Sequence, residues 1–197
     1  MNEQKQQPEV LLVNACVRAQ SRTLRLAKRL LAHLDGQVSE LDLEREALRP
    51  LTAETLSQRE ALLEKGELSA PMLRYARAFA AADEIVIAAP YWDLAFPASV
   101  KTFLEHITVT GVTFSYGPDG RPVGHCRAKR LFYVMTAGGP ILEPNHGYAY
   151  VRDLAAIFYG IPETHLFSAE LLDVDGVDAE ERVRAAEAEI DEFFRKA

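Results

Sequence analysis

Glu84-Ile85-Val86-Ile87-Ala88-Ala89-Pro90-Tyr91-Trp92-Asp93-Leu94-Ala95-Phe96-Pro97 is the stretch that decides the fold. From Ile85 to Ala89 it is apolar without polar alternation, the pattern of a strand buried on both faces of a parallel sheet. Pro90 lacks the N–H that a ladder needs and stops the strand. A helix is predicted over residues 98–107, so the residues between hand a strand over to a helix, and in open α/β sheets ligands bind at such handovers. Two aromatics, an acid and a second proline make a rigid apolar turn able to lie flat against a planar ring system. The alternative is a plain connection whose Tyr91, Trp92 and Phe96 pack on neighbouring helices.

Outward from this stretch, strands alternate with helices and no internal repeat or low-complexity linker intervenes. Residues 10–15 read as a first buried strand, 130–135 as a fourth and 164–170 as a fifth, while 38–43 alternate like a half-exposed edge strand. Leu24, Leu26, Ala27, Leu30, Leu31 and Leu34 recur at helical spacing over 23–34, closed by Asp35-Gly36. Residues 44–66 are irregular, with a short helix at 52–65; Ser69 is expected to cap a helix from Pro71 to Ala82, Asn145 one over 146–159, and residues 177–196 form a closing amphipathic helix. Parallel returns need crossovers, so the expectation is an α/β three-layer sandwich: a five-stranded parallel sheet with helices on both faces. Its expected strand order is the flavodoxin-like 2-1-3-4-5. That order puts the topological switch between the first and third strands, and a crevice at residues 14–23 and 90–97.

The 197 residues suit one domain spanning 1–197 with a full core, the polar segment 1–8 being expected to be disordered. A net charge of −7 with no basic stripe argues against a nucleic-acid partner. No segment has signal-peptide or membrane-spanning character, which makes a cytoplasmic location the expectation and a membrane partner unexpected. Cys16 and Cys126 stand far apart without Cys-x-x-Cys or His spacing, so neither a disulfide framework nor a metal site is expected.

Three loops face the predicted crevice. In the first, Asn14 to Thr23, free amides at a helix N-terminus attract phosphate, Ser21 and Thr23 add hydroxyls, and Arg18 and Arg22 add positive charge. Plain helix capping by Ser21 or Thr23 beside solvated arginines is the other reading. The loop has no glycine, which counts against a dinucleotide G-x-G-x-x-G turn and a Walker loop. Asp93 and Leu94 belong to the second loop, with Pro90, Tyr91 and Trp92. The third, Thr136-Ala137-Gly138-Gly139-Pro140, has paired glycines that allow a backbone amide to approach a ligand or simply make a turn. Gly117-Pro118-Asp119-Gly120 predicts a hairpin-like flap over residues 112–124.

Together these loops resemble the flavodoxin-like NAD(P)H-dependent oxidoreductases, the group of FMN-dependent azoreductases and NAD(P)H:quinone oxidoreductases, over nearly the whole chain. Ser21-Arg22-Thr23 stands where the family places hydroxyls on the FMN phosphate. Ala89-Pro90-Tyr91-Trp92-Asp93-Leu94-Ala95-Phe96-Pro97 stands at its Ala-Pro-Met-Tyr-Asn-Phe loop against the isoalloxazine ring. Thr136-Ala137-Gly138-Gly139 corresponds to the Ser-Arg-Gly-Gly-like run of the azoreductase branch, and Gly111-Val112-Thr113-Phe114 to the Gly-x-Thr-Phe segment.

Two departures stand out: Asp93 replaces the usual Asn, so its amide donor is lost, and Ala137 replaces an Arg. An ionised Asp93 would repel a reduced anionic flavin, so Asp93 is expected to use its backbone amide or to turn its carboxylate away.

The resemblance implies FMN as cofactor and NADH or NADPH as donor. A hydride passes through flavin N5 to a quinone, azo or similar small aromatic acceptor in a ping-pong scheme. His146 is a candidate proton donor, though a first-turn histidine is more often simply exposed. A homodimer is implied as well, with Phe114, Tyr116, Tyr148, Tyr150, Phe158 and Tyr159 as surplus aromatic surface. The rival is an electron-carrier flavodoxin that binds FMN without turning over a substrate. A receiver domain is disfavoured because Val13-Asn14-Ala15-Cys16 holds no acids for a metal.

Overall fold

The computed structural model describes residues 7–196. Residues 1–6, most of the segment expected to be disordered, lie outside the described residues. Pro8, at its end, is held in the fold: its carbonyl accepts the Gln37 N–H at 2.8 Å. The chain runs β1 (Glu9–Asn14), α1 (Arg22–Leu31), β2 (Gln37–Asp42), α2 (Leu43–Glu46), α3 (Ala53–Glu64), a 3-10 turn (Pro71–Leu73), α4 (Arg74–Ala81), β3 (Glu84–Ala88) and α5 (Ala98–Ile107). It continues through β4 (Phe114–Tyr116), β5 (Pro122–Gly124), β6 (Arg130–Thr136), α6 (His146–Leu154), a π-turn segment (Ala155–Tyr159), β7 (Glu163–Ala169) and α7 (Ala179–Lys196).

The main sheet has the order β2-β1-β3-β6-β7 with every neighbour parallel, which is the expected 2-1-3-4-5 once the β4-β5 ribbon is set apart. Successive residues of its central strands point to opposite faces, and both faces are covered. Val13, Ile85, Ile87 and Tyr133 pack with Phe79, Phe103 and Tyr159 on one side. Leu12, Val86, Phe132 and Val134 pack with Leu26, Leu30, Val183 and Ile190 on the other. Each such side chain contributes roughly 1.5–3 kcal/mol by leaving water, and the absence of alternation in 85–89 has its cause here.

The helix boundaries differ from expectation for local reasons. Ser69 caps nothing: Pro71 first locks a 3-10 turn preceded by Ala70, and α4 begins only at Arg74. Ser21 caps α1 one residue earlier than predicted. The helix tightens after Leu31, where His33 and Leu34 N–H reach the carbonyls of Leu30 and Leu31. Gly36 has φ +131° and lies against Pro8, where a Cβ would stand 2.2 Å from the carbonyl oxygen. The predicted 146–159 helix is regular to Leu154, widens to the π-turn segment and stops at Gly160, φ +71°.

The 112–124 flap is the antiparallel β4-β5 hairpin. Gly124 and Gly160 stack backbone to backbone beneath it, since a Cβ on Gly124 would fall 2.2 Å from Gly160 N. Of the surplus aromatics, Phe114 and Tyr159 turn out to be buried, because they anchor this hairpin and the π-turn, whereas Tyr116 and Tyr150 are exposed. Among the described residues no helix is long and apolar enough to cross a membrane, and no group of three or more His, Cys, Asp or Glu could hold a metal ion.

Candidate active site

The carboxyl ends of β1, β3 and β6 open onto a cleft of about 480 Å³, within the usual size range for small-molecule sites. The first wall is the β1-α1 loop. Asn14, buried, fixes it: its side-chain amide donates to Glu40 Oε1 at 2.8 Å, and its Oδ1 accepts the Cys16 N–H at 3.0 Å. Ala15 N–H reaches Ala88 O at 2.9 Å, tying the loop to β3. Burial pushes the Cys16 thiol up, so it acts as a protonated filler under the loop. At the helix start Ser21 Oγ accepts from Leu24 N–H at 3.1 Å and Ser21 O from Arg25 N–H at 3.0 Å. The Arg22 and Thr23 N–H groups remain without intrahelical partners, the anion-attracting arrangement of a helix N-terminus.

The second wall continues β3 past its end. Ala89 N–H and Tyr91 N–H reach Val134 O and Thr136 O at 3.0 Å each, and Pro90, with no N–H to place, stands between them. The chain then reverses at Asp93-Leu94. Trp92 N–H to Ala95 O is 3.1 Å and Ala95 N–H to Trp92 O is 2.8 Å, with φ +51° at Asp93 and +67° at Leu94. Positive φ at both central residues is what a two-residue type I′ turn requires. Asp tolerates it; Leu does so at a cost of order 1–3 kcal/mol. The turn holds because Leu94 O accepts His146 N–H at 3.1 Å, which plants the start of α6 against it. Trp92 stays 42% exposed at the cleft mouth, so it is no core residue.

The third wall joins two loops. Ala137 O and Gly138 O accept the N–H groups of Leu172 and Asp173 at 3.2 and 2.9 Å. Gly138 leaves room for the Asp173 carboxylate as it lies here, since a Cβ would stand 2.4 Å from its Oδ2. Across the cleft Thr23 Oγ1 and Thr136 Oγ1 lie 2.6 Å apart, and Arg22 Nη1 donates to Leu172 O at 3.3 Å and Asp173 Oδ1 at 3.1 Å.

Arg18, Ser21, Arg22, Thr23, Pro90, Tyr91, Trp92, Thr136, Ala137 and Gly138 therefore line one cleft. Asp93, Leu94, Gly139 and His146 do not. The type I′ turn carries Asp93 and Leu94 out to solvent, Gly139 lies on the open side of its loop, and His146 contributes its backbone while its imidazole is exposed. Thr23 departs from its expected role: it is buried and its hydroxyl is engaged by Thr136. Arg22 departs too, being held by Asp173. Arg18 is the lining cation with no ion-pair partner among the described residues. Cys16, Val17 and Gln20 also line the cleft, within the loop predicted to face the crevice, and sequence reading missed Leu172 and Asp173. The available signal for the last two was their place just past the end of β7, another strand whose carboxyl end faces the crevice.

The donor set fits a phosphorylated flavin. One end offers two free helix amides, the Ser21 hydroxyl proton and the unpaired Arg18; the other offers Tyr91 and Trp92 beside the backbone of residues 136–138.

A parallel sheet with its cleft at this switch point defines an α/β protein of the flavodoxin-like class. The family model described as a flavodoxin-like fold matches residues 8–194, and the chain belongs to that family. It is 33% identical over 187 residues, 90% of this chain and 92% of the relative, to an FMN-dependent NADH:quinone oxidoreductase from Coprothermobacter proteolyticus. It is 31% identical over 169 residues, 83% of each chain, to one from Caldicellulosiruptor saccharolyticus. Among solved structures, an azoreductase from Bacillus anthracis str. Sterne superposes with a TM-score of 0.82 at 26% identity, covering 96% of this chain and all of that one.

Proposed function

We propose that this protein is an FMN-dependent NADH:quinone oxidoreductase that also reduces azo-type acceptors. The observation that carries the reading is the single cleft in which the free N-terminal amides of α1 and the Tyr91-Trp92 turn stand at opposite ends. The relatives' names point to the same activity and to NADH as donor.

The Arg22 and Thr23 amides, the Ser21 hydroxyl and Arg18 would hold the phosphate by hydrogen bonds and charge. Pro90, Tyr91 and Trp92 would border the ring, and Thr136, Ala137 and Gly138 would approach its edge through backbone. FMN held there would supply two-electron hydride chemistry between a nicotinamide and an acceptor. Three walls line the cleft, so donor and acceptor would enter in turn from its open side. No side chain of the lining is a nucleophile at neutral pH, Cys16 being held as the thiol, so the residues contribute position and electrostatics.

A second copy of the chain would cover the exposed apolar rim formed by Trp92, Leu94, Leu142 and Tyr150, giving a homodimer. The enzyme would act in the cytoplasm, where NADH is made.

Chromatography of the flavin released from purified protein should yield FMN, and steady-state rates with NADH and a small quinone should give parallel double-reciprocal lines. FAD alone, or no flavin bound at micromolar concentration, would overturn the cofactor assignment. Intersecting lines would overturn the shared-entry scheme.

A further inference from the structure

We propose that Asp173 is a specificity-determining residue of the cleft, setting how firmly a phosphorylated ligand is retained by competing with its phosphate for Arg22. The inference rests on the FMN reading above and deepens it. Arg22, first residue of α1, is the cation nearest in sequence to the free helix amides, yet its guanidinium is turned across the cleft onto Asp173 Oδ1 and Leu172 O.

Asp173 is brought there by construction rather than by chance of a flexible side chain. Its N–H bonds Gly138 O, Leu172 N–H bonds Ala137 O, and its carboxylate occupies the space where a Cβ of residue 138 would be. Leu171, with φ +65°, makes the bend that delivers both residues. An acid is thus built into the wall of a cleft whose opposite wall attracts anions. Counted over Arg18, Arg22 and Asp173, the cleft carries a net +1 where it would carry +2 without the acid.

The Arg22–Asp173 pair is breakable. Its side chains are 43% and 62% exposed, and such pairs are worth little against solvent. A phosphate with a charge near −2 at neutral pH forms shorter and stronger bonds to a guanidinium than a solvated carboxylate does. Ligand binding would then move Arg22 from Asp173 to phosphate, at the cost of leaving the Asp173 carboxylate unpaired in the wall of a cleft that holds a second anion. Asp173 therefore weakens retention of FMN without touching its ring, and has no comparable effect on a flavin that lacks phosphate.

The test is a set of equilibrium titrations of flavin-free protein with FMN and with riboflavin, read by quenching of flavin fluorescence, on wild type, D173N, R22A and the double variant. D173N should bind FMN about three- to tenfold more tightly, the scale of removing one screened charge at this range, with riboflavin unchanged. R22A should bind FMN more weakly, and in that background D173N should gain at most about twofold, because the contested cation is gone. Unchanged or weaker FMN binding in D173N, an equal change for riboflavin, or an undiminished gain in the R22A background would each overturn the inference while wild-type FMN binding stands. Wild type that binds neither flavin would overturn the cofactor reading itself and this inference with it.

Discussion

The two faces of the sheet are finished differently. Over one, α1 and α7 are laced together: Arg25 pairs with Glu180 and Glu187, Arg29 with Asp191, and His33 both bonds Asp191 at 2.7 Å and stacks on Phe194. Over the other, the outer surface keeps exposed apolar side chains. Tyr150 leans on Phe96 with ring centroids 5.9 Å apart near the start of α6, while Ile157, 55% exposed, and Tyr116 and Val123 of the hairpin lie toward the end of the strands away from the cleft. The first face is complete against water. The second leaves Trp92, Leu94, Leu142 and Tyr150 exposed, the rim that the proposed second copy would cover.

The largest effect expected from disturbing this contrast lies beneath the unfinished face. Phe79 is fully buried against Phe103 and Tyr159, so Phe79→Ala should lose about 3–5 kcal/mol in urea unfolding. Trp92, by contrast, is half in solvent. Trp92→Ala should leave the melting temperature nearly unchanged while weakening FMN by about tenfold, the scale of one lost aromatic contact. A general fall in melting temperature at unchanged flavin affinity would instead make Trp92 a packing residue.

Much of the fold and part of the cleft are legible in the amino-acid sequence, and the limits are physical. Strands buried on both faces announce themselves by lack of alternation, as Ile85 to Ala89 do, and Pro90 marks the exit. The outcome at Leu94 is not legible, because a left-handed Leu is adopted only when something outside the turn enforces it, here the bond from the His146 amide. Arg22 and Thr23 are legible as cleft residues but not in their engagements. Those depend on Asp173 and Thr136, more than 100 positions away, and nothing local to the β1-α1 loop encodes such partners. Ser69 misleads because a Ser-x-Pro pattern also precedes a 3-10 turn, and the spacing is the same.

On the unfinished face, Tyr150→Glu together with Leu142→Asp should convert the proposed dimer to monomers in sedimentation, with fold intact by circular dichroism. A wild-type monomer would overturn the homodimer reading. Alkali sharpens the contrast further. Burial, reinforced by the Glu46 carboxylate, holds the Tyr75 phenol up to about 12, and burial alone holds the Cys126 thiol up to about 12. Both are neutral in the fold at pH values where the unfolded chain has ionised. Their contribution is complete below about pH 9 and is lost as pH rises through 12. Stability measured in urea should therefore fall between pH 9 and 12, and fall less in Cys126→Ala with Tyr75→Phe.

The smallest effect belongs to the laced face. Arg29 and then His33 hold the Asp191 carboxyl at about 2. That contribution is present above about pH 4 and fades as pH falls through 2. Asp191→Asn should flatten the acid limb slightly and leave flavin binding untouched; a change in flavin affinity would mean that the two faces are coupled.

Trp92 is the only tryptophan in the chain and lies in the cleft lining, so its emission reports on the central claim directly. Titrating flavin-free protein with FMN should quench the tryptophan fluorescence saturably at one equivalent, in step with the quenching of the flavin itself. FMN that binds while tryptophan emission stays unchanged would contradict the placement of the cofactor at the Tyr91-Trp92 turn.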